Sequence, residues 1–184
     1  MDIAQTAPDT VILAEDEASL YLQATLHAVW APVAQTPCIR LAPDRDLTHF
    51  YGTLNLLTGQ ETLTRTDTLS ALVTTHHLQQ LVATYPGKPL LLLWDRASWH
   101  HGPPMTAFLA EHPQVDIFIF PTATPELNPQ EQVWKDARDA VSHNHTYARL
   151  PEVADAFEAH LEGHKTVPPL LAQYGFTAIR SRFI

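Results

Sequence analysis

Leu90-Leu91-Leu92-Leu93-Trp94 is an unbroken apolar run that stops at Asp95. A run this short, bounded by Pro86-Gly87 on one side and a charge on the other, reads as a strand buried on both faces. Such a strand needs helices above and below its sheet. Val11-Ile12-Leu13-Ala14 repeats the pattern and stops at Glu15-Asp16-Glu17. Val115 to Phe120 gives a third buried strand, closed by Pro121.

The intervening segments fill in the frame. Ser19 to Pro43 is mixed and proline-containing, and predicts two irregular strands. Phe50 to Leu57 and Glu61 to Thr66 flank Thr58-Gly59-Gln60, a hairpin signal. Asp67 is placed to cap a helix over 68–85, with Leu69, Leu72, Val73, Leu81 and Val82 at helical spacing. A helix over 104–112 follows the Leu90 strand. Asn128-Pro129 reads as N-cap and first residue of a helix reaching about Ser142. A last helix starts near Pro151, with Val153, Ala156, Phe157 and Leu161 on one face. Early antiparallel strands followed by alternating strands and helices predict an α/β domain, a mixed central sheet with helices on both faces. One domain over 1–184 is expected, with its core at about 11–162.

Composition narrows the function. Twenty acids outnumber 11 bases, for a net charge of −9. A free-standing DNA binder usually carries a basic surface. Either the substrate is not nucleic acid or the basic anchoring part lies elsewhere. Arg138, Arg149, Lys165, Arg180 and Arg182 offer a local basic strip late in the chain. Cys38 is the only cysteine, which excludes an internal disulfide and a thiolate-rich zinc site. His76-His77, His100-His101 and His143/His145 match no ordinary zinc spacing. Met1 to Thr10 lacks the basic start of a signal peptide, and no apolar run is long enough to span a bilayer. The expectation is a cytoplasmic protein, nucleoid-associated when active, with no membrane partner.

Three acids stand apart from surface solvation. Asp16 and Asp95 each follow an apolar strand, and Glu131 opens a helix after the third. Sites in open sheets gather at strand ends and the adjoining helix starts. Each acid alone also has a structural use: Asp16 as a loop residue, Asp95 as a turn cap, Glu131 as part of a capping box with Asn128. Three converging carboxylates repel unless a cation joins them. An oxygen-only set favours Mg²⁺ or Mn²⁺, and two such ions suit in-line phosphoryl transfer.

The stretch from Leu92 to Trp134 carries a resemblance. Leu-Leu-Trp-Asp95-Arg-Ala-Ser-Trp-His100 resembles the second catalytic-aspartate block of mariner-superfamily transposases, especially the bacterial insertion-sequence branch. Phe120-Pro121, then Pro125-Glu126-Leu127-Asn128-Pro129-Gln130-Glu131 with Trp134 behind, resembles the third block. Thirty-five residues separate Asp95 from Glu131, within that family's mid-thirties range. Asp16-Glu17 followed by Trp30-Ala31-Pro32 resembles the first block, and Tyr51-Gly52 and Thr58-Gly59 also fit.

The resemblance implies an RNase H-like fold and a DDE superfamily endonuclease. Asp16, Asp95 and Glu131 would be its metal-binding catalytic triad, with two Mg²⁺ or Mn²⁺ ions in the active complex. Glu17, His100 and Asn128 stand as accessory candidates. The implied reaction is hydrolytic DNA cleavage followed by strand transfer, the partners being transposon ends and target DNA. The family's N-terminal helix-turn-helix region is absent before the first strand, so a separate DNA-binding region or chain is expected. DNA binding by this chain alone should be weak, and a homodimer is a further expected partnership. Two rivals differ in what they require. An RNase H-type hybrid nuclease needs a glutamate on the first helix, and 68–94 contains no acid. A decayed or co-opted transposase scaffold would bind partners without catalysis.

Overall fold

The computed structural model describes residues 9–163 apart from 40, 42 and 123. Five strands form one sheet in the order β3-β2-β1-β4-β5. They are β1 (Val11–Tyr21), β2 (Leu47–Asn55), β3 (Glu61–Thr66), β4 (Leu90–Trp94) and β5 (Val115–Ile119). Strands β1 to β3 pair antiparallel, whereas β4 runs parallel to both β1 and β5. The helices are α1 (Ala71–Thr84), α2 (Pro103–Glu111), α3 (Pro129–Ala137) and α4 (Leu150–Gly163).

Side-chain alternation along β1 divides the core in two. Ile12, Ala14, Ala18 and Leu20 face α3 and α4, packing with Trp134, Val153 and Phe157. Leu13 faces α1 and α2, packing with Leu78, Leu81, Leu92, Trp94 and Phe108. Helices therefore cover both faces of a mixed sheet, as expected. Gly52 on β2 lets α3 approach closely, since a Cβ there would overlap the Trp134 ring and stand 2.6 Å from Gln130 Nε2.

Several boundaries differ from the sequence reading. The first strand does not end at Ala14. It continues to Tyr21 because β2 pairs with it from Leu13↔Asn55 to Tyr21↔Leu47. Ser19 thus belongs to β1, and among the described residues between Leu22 and Asp46 there is no named strand, only an isolated bridge from Thr25 to His143. That segment is largely exposed, Trp30 completely so. Helix α1 is capped by Ser70, whose side chain accepts from Val73 N, not by Asp67. The helix opened by Asn128 passes into a π turn at Arg138–Ser142. β5 is an edge strand, and its Phe118 and Ile119 are exposed. Of the late basic strip, Lys165, Arg180 and Arg182 lie outside the described residues.

Candidate active site

The parallel pairing of β1 with β4 runs from Val11↔Leu90 to Ala14↔Leu93. Continued by two residues, that register sets Asp16 beside Asp95. There β4 ends while β1 goes on, paired only with β2, so the sheet opens on one side. This is the crevice that parallel strands create at their carboxyl ends.

A cleft of about 270 Å³ occupies the opening. Asp16, Asp95 and Glu131 all line it, together with Arg96, Asn128 and the segment from Phe120 to Pro125. Burial, and then the charges of Glu131, Glu17 and Asp95, push the Asp16 carboxyl up to about 8. The protein alone therefore holds these acids in mutual repulsion.

Asn128 places Glu131. Its side-chain oxygen accepts from Gln130 N at 3.1 Å, capping α3. Its amide donates to Glu15 O at 2.9 Å, fastening the helix start to β1 one residue from Asp16. The Asn128 backbone N–H bonds to Pro125 O, so Glu131 does not close a capping box through it. Gln130, fully buried, donates to Glu61 at 2.6 Å. Burial pushes the Glu61 carboxyl up to about 8. Asp95 does cap a turn, accepting from Ala97 N at 2.8 Å, while its carboxylate stays exposed at the cleft.

Glu17 and His100 lie on the opposite face of β1. His100 is buried and stacked on Trp94, ring centroids 4.1 Å apart. Its Nε2 lies 3.0 Å from Glu17 Oε1 and 3.5 Å from Glu15 Oε2. Its Nδ1 lies 3.2 Å from Asp95 O and 3.3 Å from Asp95 Oδ1. Glu15 was not singled out in the sequence. Ending the strand at Ala14 hid the alternation that turns Glu15 and Glu17 away from Asp16. Burial, then the neighbouring acids, hold its carboxyl well above the usual range. Val133 and Trp134 are core residues.

Residues 11–154 match the family model described as DDE superfamily endonuclease. The chain belongs to that family. No match was found among curated proteins. Among solved structures it is similar to Mos1 transposase in a paired-end complex with the left transposon end, at 14% identity and TM-score 0.67. That similarity covers 98% of this chain and 55% of the other. A Mos1 mariner paired-end complex with Mn gives 14% identity and TM-score 0.64, covering 93% and 53%. The isolated catalytic domain of Mos1 mariner transposase gives 12% and 0.62, covering 98% and 82%. The chain thus spans about half the length of the longer Mos1 chains. The likeness establishes the RNase H-like fold.

Proposed function

We propose that this chain is the catalytic core of a transposase that cuts and joins DNA by two-metal phosphodiester chemistry. The observation that carries this reading is the convergence of Asp16, Asp95 and Glu131 on one cleft, from two strand ends and a helix start. The donor set fits Mg²⁺ or Mn²⁺: it is all carboxylate, and its mutual repulsion is of the kind a divalent cation relieves. When bound, two such ions would supply activation of the attacking oxygen and stabilisation of the leaving oxygen. Asp16, Asp95 and Glu131 would hold them.

The remaining roles belong to the chain. Asn128 fixes the helix carrying Glu131, and the Ala97 amide orients Asp95. Arg96, lining the same cleft, offers a cation to a phosphate. Water is the first nucleophile and a DNA 3′-hydroxyl the second. Helix α1 carries no acid, unlike the first helix of an RNase H-type nuclease. Transposon ends and target DNA are the proposed partners, with sequence recognition supplied by a helix-turn-helix region or chain and the cores acting as a homodimer. The proposed location is the cytoplasm, at the nucleoid during reaction. Among the described residues no helix is long and apolar enough to cross a membrane.

The test is nicking of a DNA duplex with Mn²⁺ by the parent and by Asp95→Asn, which keeps shape and removes charge. The expected loss is about 100- to 1000-fold, as for removal of a group that stabilises transition-state charge. Equal rates would place the activity in another site. Mn²⁺ binding without cleavage of any DNA tested would favour the catalytically silent scaffold.

A further inference from the structure

The face of β1 turned away from the cleft carries a second constellation of ligating groups. Glu15 Oε, Glu17 Oε and His100 Nε2 lie within 4.8 Å of one another. The His100 side chain is 1% exposed, Glu15 0% and Glu17 4%. Neither Glu15 oxygen has a hydrogen-bond partner, although both are buried. We propose that Glu15, Glu17 and His100 Nε2 form a closed site for one divalent transition cation of the zinc class, separate from the Asp16 cleft.

Three observations converge on a cation. The first is the direction of the imidazole. Nδ1 faces two acceptors, the Asp95 carbonyl at 3.2 Å and its carboxylate at 3.3 Å, so the tautomer with its hydrogen on Nδ1 is fully satisfied there and leaves Nε2 for a cation. In the neutral ring Nε2 then presents a lone pair to two carboxylates. A ring N–H bonded to a carbonyl or carboxylate is also how a metal-bound histidine is usually held. Trp94, stacked within 5° of parallel, fixes the ring plane.

The second is spacing. Two donors about 2.1 Å from one ion, at angles of about 90–110°, stand about 3.0–3.4 Å apart. Nε2 lies 3.0 Å from Glu17 and 3.5 Å from Glu15. Both oxygens of Glu15 are available, so bidentate binding would bring the donor atoms to four. Glu17 Oε1 is itself oriented by Trp99 Nε1–H at 2.5 Å. Such supporting bonds mark a built site.

The third is charge. A divalent ion, two carboxylates and a neutral imidazole sum to zero, the cheapest electrostatic state in a buried volume. Imidazole ligation in a closed, buried site suits zinc better than magnesium, which is hard and keeps its waters. The exposed group His27, Asp139 and His143 lacks these features. Its two rings stack 3.6 Å apart and 17° from parallel, so their lone pairs do not converge.

The experiment uses the full chain with Asp16→Asn and Glu131→Gln, which silences the cleft while sparing Asp95. After chelation, Zn²⁺ is loaded, excess is removed by gel filtration, and retained metal is counted in excess Mg²⁺. One equivalent is expected, with X-ray absorption reporting one imidazole nitrogen among oxygens. Adding Glu15→Gln, an isosteric change, should weaken Zn²⁺ binding at least tenfold while the circular dichroism spectrum stays native. Should Glu15→Gln fail to fold, the absorption spectrum alone decides. No retained zinc, zinc without imidazole, or binding unchanged by Glu15→Gln would each overturn the proposal.

Discussion

Gly52 lies against the Trp134 ring so closely that a methyl group at its Cα would overlap the ring. The same glycine is the β2 partner of Asp16 on β1. One backbone position therefore sets both how near α3 comes to the sheet and how near Glu131 comes to Asp16. Gly52→Ala must push α3 outward, because the obstacle is a buried ring rather than a flexible tip. The expected cost is about 1–3 kcal/mol, the usual range for overpacking. Urea unfolding would measure it, and Mn²⁺ affinity should fall alongside stability. Unchanged affinity would mean that Glu131 is held independently of α3.

Asn128→Ala tests the other anchor of that helix. The variant loses an N-cap, worth about 1 kcal/mol. It also strips the Glu15 carbonyl of its donor, a further cost of about 1–3 kcal/mol where the group stays buried. Asn128→Asp keeps the cap but cannot donate to Glu15 O, and should recover only part of the loss. Thermal melts of the pair separate the two contributions.

Buried groups away from the cleft give the protein a stability optimum in mildly acidic solution. Glu61, raised to about 8, keeps its proton in the fold at pH values where the unfolded chain has lost it. Its contribution therefore declines as pH rises from about 4.5 towards 8. His77 acts in the other direction. Burial holds it down to about 3, and its two nitrogens bond Thr53 and Thr64 hydroxyls at 2.8 and 2.7 Å. Below about 6.5 the unfolded chain takes up a proton that the folded one refuses, so stability falls with further acid down to about 3. Denaturation midpoints across pH should peak between these slopes. Glu61→Gln should make the alkaline side shallower, the raised Asp16 and Glu15 carboxyls keeping part of its slope, and leave the acid side intact.

The strand-end logic was legible in the sequence because it depends on short-range pattern. Leu90–Trp94 could bury both faces only in a covered sheet, and Asn128-Pro129 could only open a helix. The extension of β1 was not legible. Glu15, Asp16 and Glu17 have no strand-like hydrophobic pattern, and pairing with β2 holds them extended. Once β1 is known to continue, alternation sends Asp16 to one face and Glu15 and Glu17 to the other. Ser70 rather than Asp67 caps α1 for a similar reason. Tyr51 hydroxyl bonds Ser70 N at 3.1 Å and so fixes the helix start from the sheet.

DNA binding follows from the charge balance. Non-specific affinity comes from cations that displace counterions along the phosphates, and each such contact steepens the dependence on log salt by about 0.9. This chain has 11 basic residues against 20 acidic ones. Of the described bases, Arg65, Lys88, Lys135 and Arg149 are already paired with acids. Arg96 stands at the cleft itself, where the carboxylates repel a phosphate until a divalent ion joins them. Titration of the chain against random and inverted-repeat duplexes at physiological salt should therefore give weak, unselective binding. The affinity should rise with Mn²⁺, and the salt slope should correspond to only a few phosphate contacts. Asp16→Asn with Glu131→Gln should strengthen metal-free binding, because it removes repulsion without adding a contact. Nanomolar, sequence-selective binding by this chain alone would show that recognition resides in its own surface, and the proposed helix-turn-helix partner would then be unnecessary.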